Sequence, residues 1–352
     1  MLDISIEEKL RAYVGEMLIV GFRGFEVNPG DPVARDIQKN HLGGVILFDW
    51  DAVNKKYIRN IQNPEQVIKL ATQLKALTSK TLLISIDQEG GLVQRFKPRW
   101  GFPDFPSAEG LAKASAKDGN IIYNTSKKMA GVLKAHGVNF NFAPVADVNV
   151  NPANPVLGIH HRVFSANPIE VTNMSQQFID GHRAENVLTS IKHFPGHGSS
   201  TTDSHLGFAD VSTTWTPDEL IPFQKMIEDN RVDTIMVSHV LNSNIDPELP
   251  ASLSYKTMTT LLREKMGYQG VIVTDDLQMG AIAQNYTVEK AIVLTIQGGA
   301  DILIFGNTLI YDADLVPKIQ AVVLKAVANG DLTLERLEKS YKRIQTLKQT
   351  LK

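Results

Sequence analysis

The 352-residue chain contains no cysteine, so it has no disulfide framework and no thiolate metal site. That absence fits a reducing compartment without excluding export. The chain also lacks an excess of either charge. Its 36 basic side chains against 38 acidic ones leave a net charge of -2, with a pI near 6.5. Such a balance offers no electrostatic footprint for nucleic acid or for an anionic membrane. The opening residues MLDISIEEK carry no basic stretch followed by an apolar one, so no secretory leader is recognisable. The expected location is the cytoplasm, with export as the alternative if a leader has been removed. No Ser/Gly-rich or Pro-rich linker, no charge block and no short-period repeat divides the chain. A chain of this length with 43% hydrophobic residues can bury a large core. The expectation is one domain over residues 1–352, acting as a monomer.

What the sequence does have is a recurring alternation of short apolar runs and longer amphipathic stretches. The runs are GGVILF from Gly43, LLISID from Leu82, VNFNFAP from Val138, LTSIKHF from Leu188, TIMVSH from Thr234, GVIVTD from Gly270 and DILIFG from Asp301. MLIVGF from Met17 is either an eighth run or the end of the first helix, since periodicity alone does not separate the two. Near-continuous apolar runs mark strands buried on both faces, as in a parallel sheet covered by helices. Between them, Asn63-Pro64-Glu65-Gln66, Asn167-Pro168-Ile169-Glu170 and Thr216-Pro217-Asp218-Glu219 read as helix starts, with a capping side chain followed by proline. Leu334, Leu337, Tyr341, Ile344 and Leu347 recur at helical spacing and predict a closing amphipathic helix in the tail. Seven or eight such units suit a (β/α)8 TIM-type barrel, with a doubly wound open sheet as the alternative. The barrel is favoured because the runs end in Asp87, Lys192 and His193, Ser238 and His239, and Asp275, which a barrel would gather at one mouth.

The densest chemistry lies in Lys192-His193-Phe194-Pro195-Gly196-His197-Gly198 and the following Asp203-Ser204-His205. Three histidines, a lysine and an aspartate within fourteen residues would all need partners if their role were packing alone. Elsewhere the structural readings compete evenly. Asp275 and Asp276 precede a plausible helix start and suit an N-cap, and His239 suits a satisfied strand-end histidine. Asp87-Gln88-Glu89-Gly90-Gly91 also suits a polar turn whose glycines take unusual backbone angles.

Taken together, Asp87-Gln88-Glu89-Gly90-Gly91 with Gln94-Arg95, the Lys192 to Gly198 segment, Asp203-Ser204-His205 and Val273-Thr274-Asp275-Asp276 resemble the signature set of family 3 glycoside hydrolases, in particular the bacterial β-N-acetylglucosaminidase branch. The resemblance implies retaining hydrolysis of a terminal β-linked N-acetylglucosamine, with peptidoglycan-derived fragments as substrate and no cofactor or metal. Asp275 would be the nucleophile, with His205 the acid/base and Asp203 its partner. A histidine suits both proton-transfer steps because its ordinary pKa lies near neutrality. Asp87, Arg95, Arg162, Lys192 and His193 would hold the sugar hydroxyls, while Leu92 stands where the family commonly has Arg. A β-glucosidase or a phosphorylase using phosphate as acceptor remains an alternative. A metal-dependent barrel hydrolase built on Lys192, His193 and His239 is the more distant rival.

Overall fold

The computed structural model describes residues 4–52, 54–57, 59–203, 207 and 209–351. Eight strands close into an all-parallel barrel in sequential order: β1 (Leu18–Gly21), β2 (Gly44–Ile46), β3 (Leu83–Ile86), β4 (Phe140–Asn141), β5 (Leu188–Phe194), β6 (Thr234–Val237), β7 (Val271–Asp276) and β8 (Ile302–Phe305). Each corresponds to one of the apolar runs. The ambiguous MLIVGF run ends as a strand because the first helix, Ile4–Glu16, stops in time for β1 to close the barrel. Leu18 pairs with Leu303 of β8, and Ile19 pairs with Gly44 of β2. Both faces of these strands are covered, which explains the near-unbroken hydrophobicity.

The helix starts are built as their residues dictate. Asn63 accepts from the backbone N–H of Gln66, and Asn167 accepts from those of Ile169 and Glu170. Thr216 and Glu219 form a reciprocal capping box ahead of the short Pro217–Leu220 turn. Such a cap satisfies donors that the first helical turn otherwise leaves orphaned. The closing helix, Leu334–Gln349, buries Leu337, Ile344 and Leu347, and Tyr341 stacks on Tyr13 of the first helix with ring centroids 4.6 Å apart. Asp301, at the foot of β8, accepts from Ser340 Oγ at 2.6 Å and pairs with Arg343 at 3.3 Å, which ties that helix to the barrel. Among the described residues no helix is long and apolar enough to cross a membrane.

Candidate active site

All the polar strand ends singled out in the sequence lie at the C-terminal mouth of the barrel. Asp87 follows β3, Lys192 and His193 fall within the end of the long strand β5, His239 follows β6, and Asp275 and Asp276 end β7. This is the face where barrel enzymes keep their chemistry, because loops from distant parts of the chain converge there. A groove of about 840 Å³ opens at the opposite end, among Asn186, Val187, Asp233, Gly270 and Lys342. It lies beside the N-terminal ends of β5 to β7 and away from these groups.

One ion network holds most of the predicted sugar-binding residues. Lys192, whose side chain is 3% exposed, places Nζ 3.1 Å from Asp87 Oδ1 and 2.7 Å from Glu89 Oε1. Arg95 reaches Asp87 Oδ2 at 3.3 Å, and Arg162 donates twice to Glu89, from Nε and Nη2 at 2.8 Å each. Burial would raise the Asp87 carboxyl, but Lys192 and Arg95 outweigh it and hold Asp87 below its ordinary pKa. For Glu89 burial is likewise outweighed, by Arg162 and then Lys192, and the group sits far below the usual carboxylate range. Lys192 answers in the opposite sense: burial lowers its pKa, and the two carboxylates more than restore it. Both acids are therefore ionised and the lysine charged at neutral pH. Asp87 remains the more accessible of the two, with 19% of its side chain exposed against 6% for Glu89. Arg162 differs in kind from the other members. Glu89 takes its fork and Val156 O accepts from Nη1 at 3.1 Å, so its position secures Glu89 before any sugar is present.

The sequence explains the local shape around Asp87. Gly90 has φ 98°, and a Cβ there would fall 2.2 Å from Pro106 O, so the paired glycines answer both a left-handed turn and a close backbone approach. Gln88 Oε1 accepts from the backbone N–H groups of Arg95 (2.9 Å) and Phe96 (3.0 Å), folding the segment back so that Arg95 faces Asp87.

His193 is held by a residue the sequence did not single out. Asp147, fully buried beyond β4, accepts from His193 Nδ1 at 2.6 Å, from His193 N at 3.1 Å and from His197 N at 2.8 Å. Burial pushes the Asp147 carboxyl up, and His193 draws it below its ordinary value. The Nδ1 contact leaves Nε2 of His193 as the ring atom directed away from Asp147. His197 is buried and its pKa is lowered to about 4, first by desolvation and next by His193, with Asp275 among the charges acting the other way. It stays neutral at pH 7, consistent with the loop-shaping role its glycine-rich surroundings imply. A second unassigned acid, Glu219, accepts from Gly198 N at 3.0 Å and Ser199 N at 3.3 Å. The root of the loop leading to Asp203 is thus pinned by two buried carboxylates. Asp147 carried a faint signal, an acid shortly after a strand run. Glu219 was visible only as part of a helix cap.

Asp275 is half-buried, and its Oδ1 accepts from Asp276 N at 2.8 Å. Asp276 turns into the wall, where Oδ1 accepts from Gln278 N and Gly306 N, both at 3.0 Å. Burial raises its pKa to about 6, against those two backbone donors. The pair therefore divides into a wall residue and a mouth residue. His239 is the structural histidine of the two readings: Nε2 donates to Asp276 O (2.9 Å) and Nδ1 contacts Ser252 Oγ (2.7 Å). With both ring nitrogens committed, it does not serve a metal centre, and no group of three or more His, Asp or Glu able to hold an ion occurs among the described residues. Asp203 is partly buried on the loop, whereas His205, its predicted partner, lies outside the described residues.

Comparison with known proteins agrees with this architecture. Residues 9–347 match the family model described as the glycosyl hydrolase family 3 N terminal domain. The chain is 33% identical to a beta-hexosaminidase of Tolumonas auensis, over 89% of this chain and 91% of that one. It is 34% identical to beta-hexosaminidase A of Pseudoalteromonas piscicida over 90% of its own length, spanning about half (54%) of that longer protein. Among solved structures, a family 3 β-N-acetylglucosaminidase from Paenibacillus superposes with a TM-score of 0.86 and 33% identity, over 100% of this chain and 63% of that one. The barrel, the strand-end charges and these likenesses place the chain in glycosyl hydrolase family 3.

Proposed function

We propose that the chain is a retaining exo-β-N-acetylglucosaminidase that releases terminal β-linked N-acetylglucosamine from peptidoglycan-derived fragments or related glycans. The observation that carries this reading is the Asp87–Lys192–Glu89–Arg162 network, buried at Lys192 and Glu89 and partly open at Asp87, set at the same mouth as a half-buried Asp275. Asp87 and its two cations present acceptors and donors side by side, as a ring of hydroxyls requires. The Paenibacillus relative is a β-N-acetylglucosaminidase, which supports N-acetylglucosamine as the sugar, and the Tolumonas relative, a beta-hexosaminidase, is compatible with it. In the first step an Asp275 carboxylate oxygen attacks the anomeric carbon as the glycosidic C–O bond breaks, and the departing oxygen takes a proton from His205. In the second step His205 removes a proton from water, which displaces Asp275 and restores the β configuration. Asp203 orients the imidazole and balances its charge. No metal enters either step, so treatment with EDTA should leave turnover unchanged.

The test is Asp275→Ala assayed on a nitrophenyl N-acetylglucosaminide. Loss of its nucleophile should lower kcat on the order of 10⁴-fold with an unchanged thermal midpoint. Activity within tenfold of the parent would remove Asp275 from the mechanism. Running the same assay across nitrophenyl glucoside and galactosaminide fixes the sugar, and the anomer first released, read by NMR, fixes retention.

A further inference from the structure

We propose that Asn141 and His182, which lie outside the sugar-holding network, are positioning residues that fix the Asp87-Gln88-Glu89 turn and thereby set the affinity for the sugar. The inference rests on the glycosidase reading above and adds to it two fully buried side chains. The paired register of β3 and β4 ends at Ile86 and Asn141. Past that point a side chain continues the ladder. Asn141 Oδ1 accepts from Gln88 N at 3.0 Å and Asn141 Nδ2 donates to Gln88 O at 2.9 Å, so the amide exchanges both bonds with Gln88 as a residue of a neighbouring strand would. Gln88 stands between the two acids of the network, Asp87 and Glu89, and its own Oε1 holds the backbone N–H of Arg95. Three charged groups of the network therefore take their direction from one clamped residue.

The remaining bonds follow from Gln88 outward. The orientation of Asn141 is forced, because reversing its amide would set the oxygen against Gln88 O. Its second amide hydrogen then meets His182 Nε2 at 2.9 Å, which must act as an acceptor. Nδ1 accordingly carries the ring proton and donates to Ser126 Oγ at 2.7 Å, which leaves the hydroxyl hydrogen for Phe178 O. The chain thus runs, in one direction, from the interface of helices Ile121–Ala135 and Pro168–Ala184 to the sugar-holding turn. Gly181 lets those helices meet closely enough for it, since a Cβ there would fall 2.7 Å from Ser126 Cβ. The His182 ring is also held flat on Phe178, with ring centroids 4.6 Å apart. Burial lowers the His182 pKa to about 3, against the pull of Phe178 O, so the ring is neutral and Nε2 stays an acceptor at pH 7. An apolar side chain would fill this slot without the cost of desolvating an imidazole. A fully satisfied buried polar chain instead imposes a single arrangement on what it holds, here the turn that carries Asp87.

The experiment measures kcat and KM on nitrophenyl N-acetylglucosaminide for His182→Leu and His182→Gln, each in the parent and in an Asp87→Asn background. Leucine fills the slot but gives Asn141 no acceptor, whereas a glutamine amide oxygen can replace Nε2. His182→Leu should raise KM on the order of tenfold with kcat little changed, because a misplaced Asp87 weakens ground state and transition state alike. His182→Gln should recover most of that loss. In the Asp87→Asn background the leucine substitution should cost less than about twofold, since its effect runs through a group already altered. An equal loss in both backgrounds would reduce His182 to a packing residue and overturn the inference, as would a parent-like KM in His182→Leu. If His182→Leu does not fold, Asn141→Ser carries the same comparison with the same expected pattern, because it keeps an acceptor for Gln88 N and releases Gln88 O. A parent protein inert toward the glycoside would instead overturn the glycosidase reading, and this inference with it.

Discussion

At the scale of single residues, the site turns on Glu89. Lys192 is a buried cation and Arg162 a largely covered one, and Glu89 is the anion they share, touching one at 2.7 Å and the other through two bonds of 2.8 Å. Removing one partner of such a cluster costs more than the cluster contributes, because a charge is left buried without compensation. Glu89→Gln keeps the shape and deletes the charge. It should destabilise the protein by about 3–5 kcal/mol, read from the midpoint of urea unfolding, and weaken substrate binding as Lys192 swings toward Asp87. A loss below 1 kcal/mol would mean that water reaches the network. The sequence displayed Glu89 inside a recognisable motif but not this role, since its partners lie 73 and 103 positions away and only the barrel brings them together. Asp87, Lys192 and His193 were legible because they terminate apolar runs. Asp147 was not, because the signal that matters, a contact with His193, is carried by no spacing along the chain.

At the scale of elements, the strands were readable from their hydrophobicity and the helix starts from their capping residues. The loops were less so. Asn63 and Asn167 each satisfy orphan N–H groups, so Asn63→Ala and Asn167→Ala should each cost about 1 kcal/mol in thermal or urea unfolding without altering kcat. The loop after β5 behaves differently, because its backbone is clamped at several points in a narrow space. A Cβ on Gly198 would fall 1.7 Å from Val148 O, and one on Gly196 would fall 2.6 Å from Glu219 Cβ. Gly198→Ala must therefore displace the segment that carries Asp203 while leaving the barrel strands intact. Its kcat should drop at least tenfold, on the order that a misplacement of about 1 Å produces, with a much smaller change in unfolding midpoint. The glycines themselves were plain in the sequence. What Gly198 avoids is a backbone carbonyl from the β4 loop, and what Gly196 avoids is the Glu219 side chain; both neighbours appear only once the barrel has closed.

At the scale of the whole molecule, buried titratable groups set how stability answers to pH, and two opposing sets are built in. His182 and His197 are buried with pKa values lowered to about 3 and about 4, chiefly by desolvation. Unfolding lets them protonate near 6.5, so the stability they confer is full above that value and is lost as pH falls toward their folded pKa values. Glu219 and Asp276 are raised by burial to about 7 and about 6. For these acids the folded state binds the proton more tightly, so acidification from pH 7 stabilises the fold until their unfolded values near 4 are reached. Over pH 7 to 5 the two sets nearly cancel, and the thermal midpoint should be almost flat. Below pH 4 nothing opposes the loss, because Asp87, Glu89 and Asp147 are held below their ordinary values in the fold, so that the unfolded chain takes up their protons first. Glu219→Gln removes one side of the balance. Its stability should fall by roughly 2 kcal/mol more than that of the parent between pH 7 and pH 5, measured as the difference in urea midpoints at the two values. An equal fall in parent and variant would show that Glu219 is ionised throughout, anchored by the N–H groups of Gly198 and Ser199 strongly enough to offset its burial.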